Sequence, residues 1–116
     1  MNVNSSSIFA DIPSRLAEEL CQTLLTKPTV HIERIISTGQ SSPTDFWYDQ
    51  PQDEWVLVLQ GRARLAFDNQ PDLELGSGDY LLIPAHCRHR VAWTDQEVAT
   101  VWLAVHVFTE DKSAAV

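Results

Sequence analysis

Positive charge is scarce in this chain. Eight Lys and Arg stand against sixteen Asp and Glu, a formal net charge of −8 over 116 residues. A field of that sign repels phosphate backbones and anionic headgroups, so neither nucleic acid nor a membrane surface is an expected partner. Cysteine is scarce too. Cys21 and Cys87 are the only two, and no charged-then-apolar leader opens the sequence, so a reducing cytoplasm is the expected location. The apolar runs all fall well short of the roughly 18 residues that a membrane-spanning helix needs. A soluble protein is expected, and at this length a single hydrophobic core, hence one domain.

What is present divides at Pro28. The opening "MNVNSSS" is small and polar, and residues 1–10 are expected to be disordered or frayed. Between Pro13 and Leu25 the apolar residues Leu16, Ala17, Leu20, Cys21, Leu24 and Leu25 recur at spacings of three and four, with Glu18, Glu19 and Gln22 on the other side. That pattern predicts an N-terminal amphipathic helix within residues 11–28, capped by Asp11 and ended by Pro28. Beyond it, short runs rich in Val, Ile, Leu and aromatics alternate with Gly, Pro, Asp, Asn and Ser clusters, from "VHIERIIS" through "EWVLVLQ", "RARLAF" and "HRVAW" to "TVWLAVHVF". This rhythm predicts an all-β sandwich or barrel over residues 29–108, followed by a tail over 109–116. No helical pattern interrupts the runs, which disfavours βαβ units, and "DNQPD" marks a hairpin turn.

Alternation assigns the faces. Ala63, Leu65 and Phe67 share one side of their run and Arg62 and Arg64 the other, so the apolar side is inner. By the same count His89 shares an inner face with Val91 and Trp93. The run "EWVLVLQ" is apolar on both faces, with Glu54, Val56 and Val58 on one and Trp55, Leu57 and Leu59 on the other. Such a strand must be covered twice, by the N-terminal helix or by a second subunit, and a homodimer is expected. Glu54 and His89 are thus two polar groups sent into an apolar interior, where an unpaired carboxylate is costly. They either hydrogen-bond each other as a structural pair or share a ligand.

Glu54 is followed by six residues and Gly61, and "GDYLLIPAHCRHRV" sets Gly78, five residues, Pro84 and, after four more residues, His89. In these strings, and over about Val30 to Val107, the chain resembles the cupin superfamily of small β-barrels. The resemblance implies an antiparallel jelly-roll barrel, and it assigns Glu54 and His89 to positions that ligate metal in that superfamily. The match is incomplete. The His-x-His pair usual ahead of the glutamate is replaced by Trp47 with Asp49 or Tyr48 with Gln50, and His86 and Trp93 stand where the second motif has Gly and Asn. A centre of three His and one Glu cannot be assembled from these positions.

Two kinds of site remain open. His89, Glu54 and Asp49 can hold a divalent ion such as Zn, Fe, Mn or Ni, with Gln50 as a weak oxygen donor. Alternatively Tyr48, Gln50, Glu54, His89 and His86 line a metal-free pocket for a small polar or sugar-like molecule, with Trp47 and Trp93 among its aromatic walls. His31 and His106 read as satisfied structural residues, and Cys87 lacks an oriented base. The candidate functions are a metal-dependent enzyme, a small-molecule-binding or sensing module, and a structural barrel acting by association. Loss of the first-motif histidines weakens the first, and retention of Glu54 with His89 weakens the third.

Overall fold

The computed structural model describes residues 1–109. The remainder of the expected tail, 110–116, lies outside the described residues. Eight strands follow one another: β1 Leu20–Lys27, β2 Val30–Ser37, β3 Asp53–Gln60, β4 Ala63–Phe67, β5 Gln70–Leu75, β6 Tyr80–Ile83, β7 His89–Thr94 and β8 Thr100–Val107. They form two antiparallel sheets, a five-stranded one in the order β1-β2-β8-β3-β6 and a three-stranded one in the order β5-β4-β7. Val58, Ile83 and Trp102 from the larger sheet meet Ala63, Leu65, Phe67 and Leu75 from the smaller. The core is the layer between the sheets, as in a sandwich.

Two expectations are corrected. The closed barrel is not seen, because no ladder joins the two sheets edge to edge. Between the edge strands β6 and β7 the chain changes sheets by a bend through Pro84–Arg88, and Pro84 has no N–H to continue a ladder. The N-terminal helix is not seen either: among the described residues there is no helix, and therefore none long and apolar enough to cross a membrane. Leu20–Lys27 instead pairs with β2 through a two-residue turn at Pro28–Thr29. Pro28, read as a helix stop, occupies the position where proline pre-sets a turn. A lone helix of this length is marginal in water, whereas the hairpin gains a whole ladder. Leu24 and Leu25, assigned to the helix's buried side, are exposed on the strand.

The segment ahead of β1 is fastened rather than helical. The buried Arg34 guanidinium donates to the carbonyls of Ile8 at 2.9 Å and Ala10 at 2.7 Å, and its Nε to Gln22 Oε1 at 2.7 Å. Leu16 N donates to Thr38 Oγ1 at 2.9 Å, and Gln40 Nε2 to Leu16 O at 2.8 Å. These bonds lay residues 8–16 along β2. The inner face of β3 is buried as its alternation requires, through Glu54, Val56 and Val58. Its outer face is less covered: Trp55 and Leu57 are half-buried beside the exposed Leu82 and Tyr80 of β6.

Gly61 makes the sheet-switching corner. Its φ is +91°, and a Cβ there would stand 2.6 Å from Thr100 Cα and 2.5 Å from Thr100 Oγ1. That hydroxyl is already engaged, accepting from Arg62 N at 3.3 Å and donating to Arg62 O at 3.1 Å. Gly78 has a φ of +92° but open space around it. Gly61→Ala should therefore cost about 3 kcal/mol or more, combining backbone strain with a backbone clash. Gly78→Ala should cost about 1–2 kcal/mol, from strain alone. Urea melts compare the two; equal losses would show that the contact with Thr100 is not what requires glycine at the corner.

Candidate functional site

The two sheets enclose a cavity of about 120 Å³, floored by Val56, Leu65, Ile83 and Trp102 and carrying its polar groups at one end. Glu54 enters from β3, where the strand period turns it inward with Val56 and Val58. His89 enters from β7, facing the same space. Both are buried, at 9% and 5% exposure. The register then adds two residues from neighbouring strands. His106 lies opposite Glu54 across the β3–β8 ladder, and Glu33 comes from β2.

The hydrogen bonds fix which atoms face the cavity. His89 Nδ1 lies 2.9 Å from the Cys87 carbonyl, which only accepts, so the proton is on Nδ1. In the neutral ring Nε2 is then a bare lone pair, and it stands 3.7 Å from Glu54 Oε1. Gln50 Nε2 donates to that same oxygen at 3.0 Å. Gln52 Nε2 donates to Gln50 Oε1 at 3.2 Å and to His106 Nδ1 at 3.1 Å. His106 Nε2 accordingly donates to Glu33 Oε1 at 3.2 Å and stands 3.9 Å from Glu54 Oε2. Tyr48 stacks on His89, with centroids 5.3 Å apart, and is pinned there by a reciprocal backbone bridge. Glu19 accepts from Ser37 Oγ at 2.6 Å at the cavity wall.

The charges leave a consistent signature. His106 is held above the ordinary imidazole range by its bond to Glu33, against desolvation, with the charges of Glu54 and Glu33 adding. Glu33 is held below the usual carboxylate range by the bond to His106. Burial raises Glu19, and it raises the Cys21 thiol at the cavity edge to about 11, helped by Glu19, Glu33 and Glu54. Tyr48 is raised by burial and by the same carboxylates with Cys21.

Of the residues singled out in the sequence, Glu54, His89, Tyr48 and Gln50 line this cavity. Asp49 does not: it sits at the surface, paired with His86 Nδ1 at 2.7 Å. Trp47 and Trp93 also lie away from it. Trp47 is stacked against Arg88 and Arg90, and Trp93 against Arg64. The inner-face reading of Trp93 fails at Ala92, where the β4–β7 register slips between Arg64↔Trp93 and Leu65↔Val91. That bulge inserts a residue and sends Trp93 to the other side. His106, Glu33, Glu19 and Gln52 were not anticipated as a site. His106 and Glu33 shared inward parity with their strands, but only the pairing register brings them to Glu54.

A metal centre does not fit this donor set. Two ligands of one ion can stand 3.7 Å apart as His89 Nε2 and Glu54 Oε1 do. Gln50, however, turns its NH₂ to Glu54, and no group of three ligating His, Cys, Asp or Glu side chains forms among the described residues. Zinc sites take three or four protein ligands.

The cupin domain profile matches residues 33–106. The chain belongs to the cupin family. It is similar to a crystal structure from Ralstonia eutropha JMP134, provisionally assigned as a mannose-6-phosphate isomerase, at 49% identity and a TM-score of 0.89, over 92% of this chain and 100% of that one. A cupin superfamily protein from Desulfitobacterium hafniense DCB-2 superposes with a TM-score of 0.74 at 23% identity, over 94% and 95% of the two chains. An RmlC-like cupin with a double-stranded β-helix fold from Methanocaldococcus jannaschii superposes with 0.72 at 14% identity, over 99% of each. The latter two establish the fold alone. No curated protein sequence matches the chain.

The Glu33–His106 pair gives stability a pH dependence. A raised histidine contributes fully below its ordinary value of 6.5 and loses that contribution as pH climbs through the higher folded value. The lowered Glu33 contributes above 4.5 and loses it as pH falls through its depressed value. The raised Glu19 works the opposite way, its share declining as pH rises above 4.5. Between pH 6 and 8 the His106 contribution dominates, so the melting temperature should fall across that interval, and His106→Gln should flatten the fall. An unchanged slope in the variant would remove His106 as its source.

Proposed function

We propose that this chain is a small-molecule-binding cupin domain that takes a small polar ligand between His89 and Glu54. The observation that carries the reading is the pair of acceptors facing each other across 3.7 Å, the His89 Nε2 lone pair and Glu54 Oε1. Two acceptors on buried side chains, both open to the cavity, are satisfied by something that donates to both. The cavity, at about 120 Å³, is smaller than the ~300–1,000 Å³ of drug-sized ligand sites, so the ligand inserts a small head group. A wider cleft of about 550 Å³ adjoins it, sharing Glu19, Tyr48 and Val91, and accommodates the rest.

The Ralstonia neighbour's name suggests a sugar phosphate, but among the described residues no Lys or Arg lines either space. A phosphate dianion would find only hydrogen-bond donors too few to replace its water. Ligand contact is therefore read from the polar end of the cavity rather than from that name. Titration of small three-carbon polyols and amines, followed by the indole and ring resonances of Trp102 and Tyr48, should show saturable shifts that disappear in His89→Ala. Saturation that survives His89→Ala would place binding elsewhere, and tight stoichiometric Zn²⁺ or Mn²⁺ binding would restore the metal reading.

The outer face of the larger sheet supports a second assignment, a homodimer formed through Trp55, Leu57, Tyr80 and Leu82. These side chains make a contiguous apolar patch across β3 and β6, half-buried or exposed in the single chain. Sedimentation at micromolar concentration should give a dimer, and Leu82→Glu should give a monomer with the same melting curve shape. A wild-type monomer would end this assignment.

A further inference from the structure

The cavity is chemically selective in a way that its size alone does not explain. Three carboxylates line it, Glu19, Glu33 and Glu54, against two imidazoles. Glu33 has its counter-charge in His106, with His31 Nε2 at 3.4 Å from its other oxygen. Glu54 shares the His106 imidazole only at 3.9 Å, and the hydrogen bonds the other two carboxylates accept come from neutral groups, the Gln50 amide for Glu54 and the Ser37 hydroxyl for Glu19. His89 supplies the independent sign that something is meant to sit here. Its side chain is 6% exposed, its Nδ1 is committed to the Cys87 carbonyl, and its Nε2 makes no hydrogen bond while facing the cavity. Beside the Tyr48 hydroxyl and the Cys21 thiol, the free groups at the polar end are acceptors, with a net negative balance.

We infer that the ligand this cavity selects is a small organic molecule bearing a primary ammonium group, which donates to His89 Nε2 and Glu54 Oε1 while compensating the charge that Glu54 and Glu19 carry into the interior. An ammonium has three N–H donors and no acceptor, so it complements this set where a neutral alcohol complements it in part. A carboxylate or phosphate opposes it. Charge-assisted hydrogen bonds are roughly twice as strong as neutral ones, and burial raises the value of each. The mouth has the same sign, since Glu18 and Glu19 flank the adjoining cleft, so an approaching cation is drawn in and an anion repelled. The Cys21 thiol is raised first by burial, and the further rise from Glu19, Glu33 and Glu54 agrees with that potential.

The inference rests on the small-ligand reading of the His89–Glu54 site, and its test separates the two. Three probes share one carbon skeleton and differ in one group: 1-amino-2-propanol as its ammonium, 1,2-propanediol, and lactate. Calorimetric titration of the full chain at pH 7, with the Tyr48 and Trp102 resonances reporting location, should give the order amine, diol, lactate. The amine should be favoured over the diol by roughly tenfold, about 1.4 kcal/mol. In Glu54→Gln both should bind more weakly, the amine by the larger factor, so that the preference shrinks toward parity. Glu19→Gln, at the wall, serves the same purpose should Glu54→Gln fail to fold. Diol binding as tightly as the amine overturns the ammonium assignment and leaves the site reading standing. So does binding of lactate or mannose 6-phosphate in the cavity, or an amine preference unmoved by either Gln variant. If none of the three perturbs the cavity resonances, both readings fall together.

Discussion

A carboxylate is buried on a strand flanked on both sides by others, and the structure is arranged around keeping it there. Glu54 lies between β8 and β6 in the larger sheet, 9% exposed, where an ionised group without partners would cost several kcal/mol. Among the described residues no Lys or Arg pairs with it. Compensation comes from the Gln50 amide bond at 3.0 Å and from the His106 imidazole at 3.9 Å. At an effective dielectric near 20, a charged imidazole at such a distance contributes a few kcal/mol. The compensation therefore depends on the protonation of His106, which in turn depends on Glu33. Glu54, His106 and Glu33 act as one electrostatic unit spread over three adjacent strands, and displacing any of these strands exposes the others' charges to an apolar wall.

The two glutamines make that unit directional. Gln52 donates to both Gln50 and His106, and Gln50 donates onward to Glu54. A second proton on His106 requires an acceptor at Nδ1, which Gln52 supplies only by turning its amide and giving up its bond to Gln50. Protonation at β8 is thus coupled through side-chain amides to the donor that Glu54 receives at the other end. In place of ring nitrogens pointing at an ion, the positions ahead of Glu54 hold the Tyr48 ring, stacked on His89, and the Gln50 amide, directed at Glu54. One seals the imidazole's face and the other occupies a carboxylate lone pair. Both replacements remove ligands and leave hydrogen-bond acceptors.

What the sequence disclosed followed from short-range periodicity. Parity with Val56 and Val58 was enough to turn Glu54 inward, and the spacing from Gly78 through Pro84 was enough to start β7 at His89. The hairpin at Asp68–Asn69 was equally legible from its turn residues. What stayed hidden depended on register. His106 faces Glu54 because of a ladder between segments some fifty residues apart, and no local pattern specifies that pairing. Trp93 was misplaced because one inserted residue at Ala92 reverses the parity beyond it. The helix over 11–28 was misread because leucines three and four apart also occur along a bulged strand, and β1 carries its irregularity between Thr23 and Leu25. In each case a non-local ladder outweighed a local signal.

The mouth of the cavity is built from segments outside the regular ladders, and this ties ligand and fold together. Tyr48 belongs to no strand, and its place over His89 rests on two backbone bonds, Tyr48 N to His89 O at 2.7 Å and His89 N to Tyr48 O at 3.1 Å. Glu19 precedes β1 and is held by the Ser37 hydroxyl, which also accepts from the Trp102 indole at 3.1 Å. The same inner residues that make the site therefore anchor the loops that frame it. Segments held by few bonds open more readily than sheet interiors. A ligand donating to His89 and Glu54 acts on the strands that carry these anchors, so its binding free energy stabilises the mouth as well as the core. In a sandwich this small, the polar end of the cavity and the order of the segments around it are one equilibrium, set by whether the acceptors at its centre are satisfied.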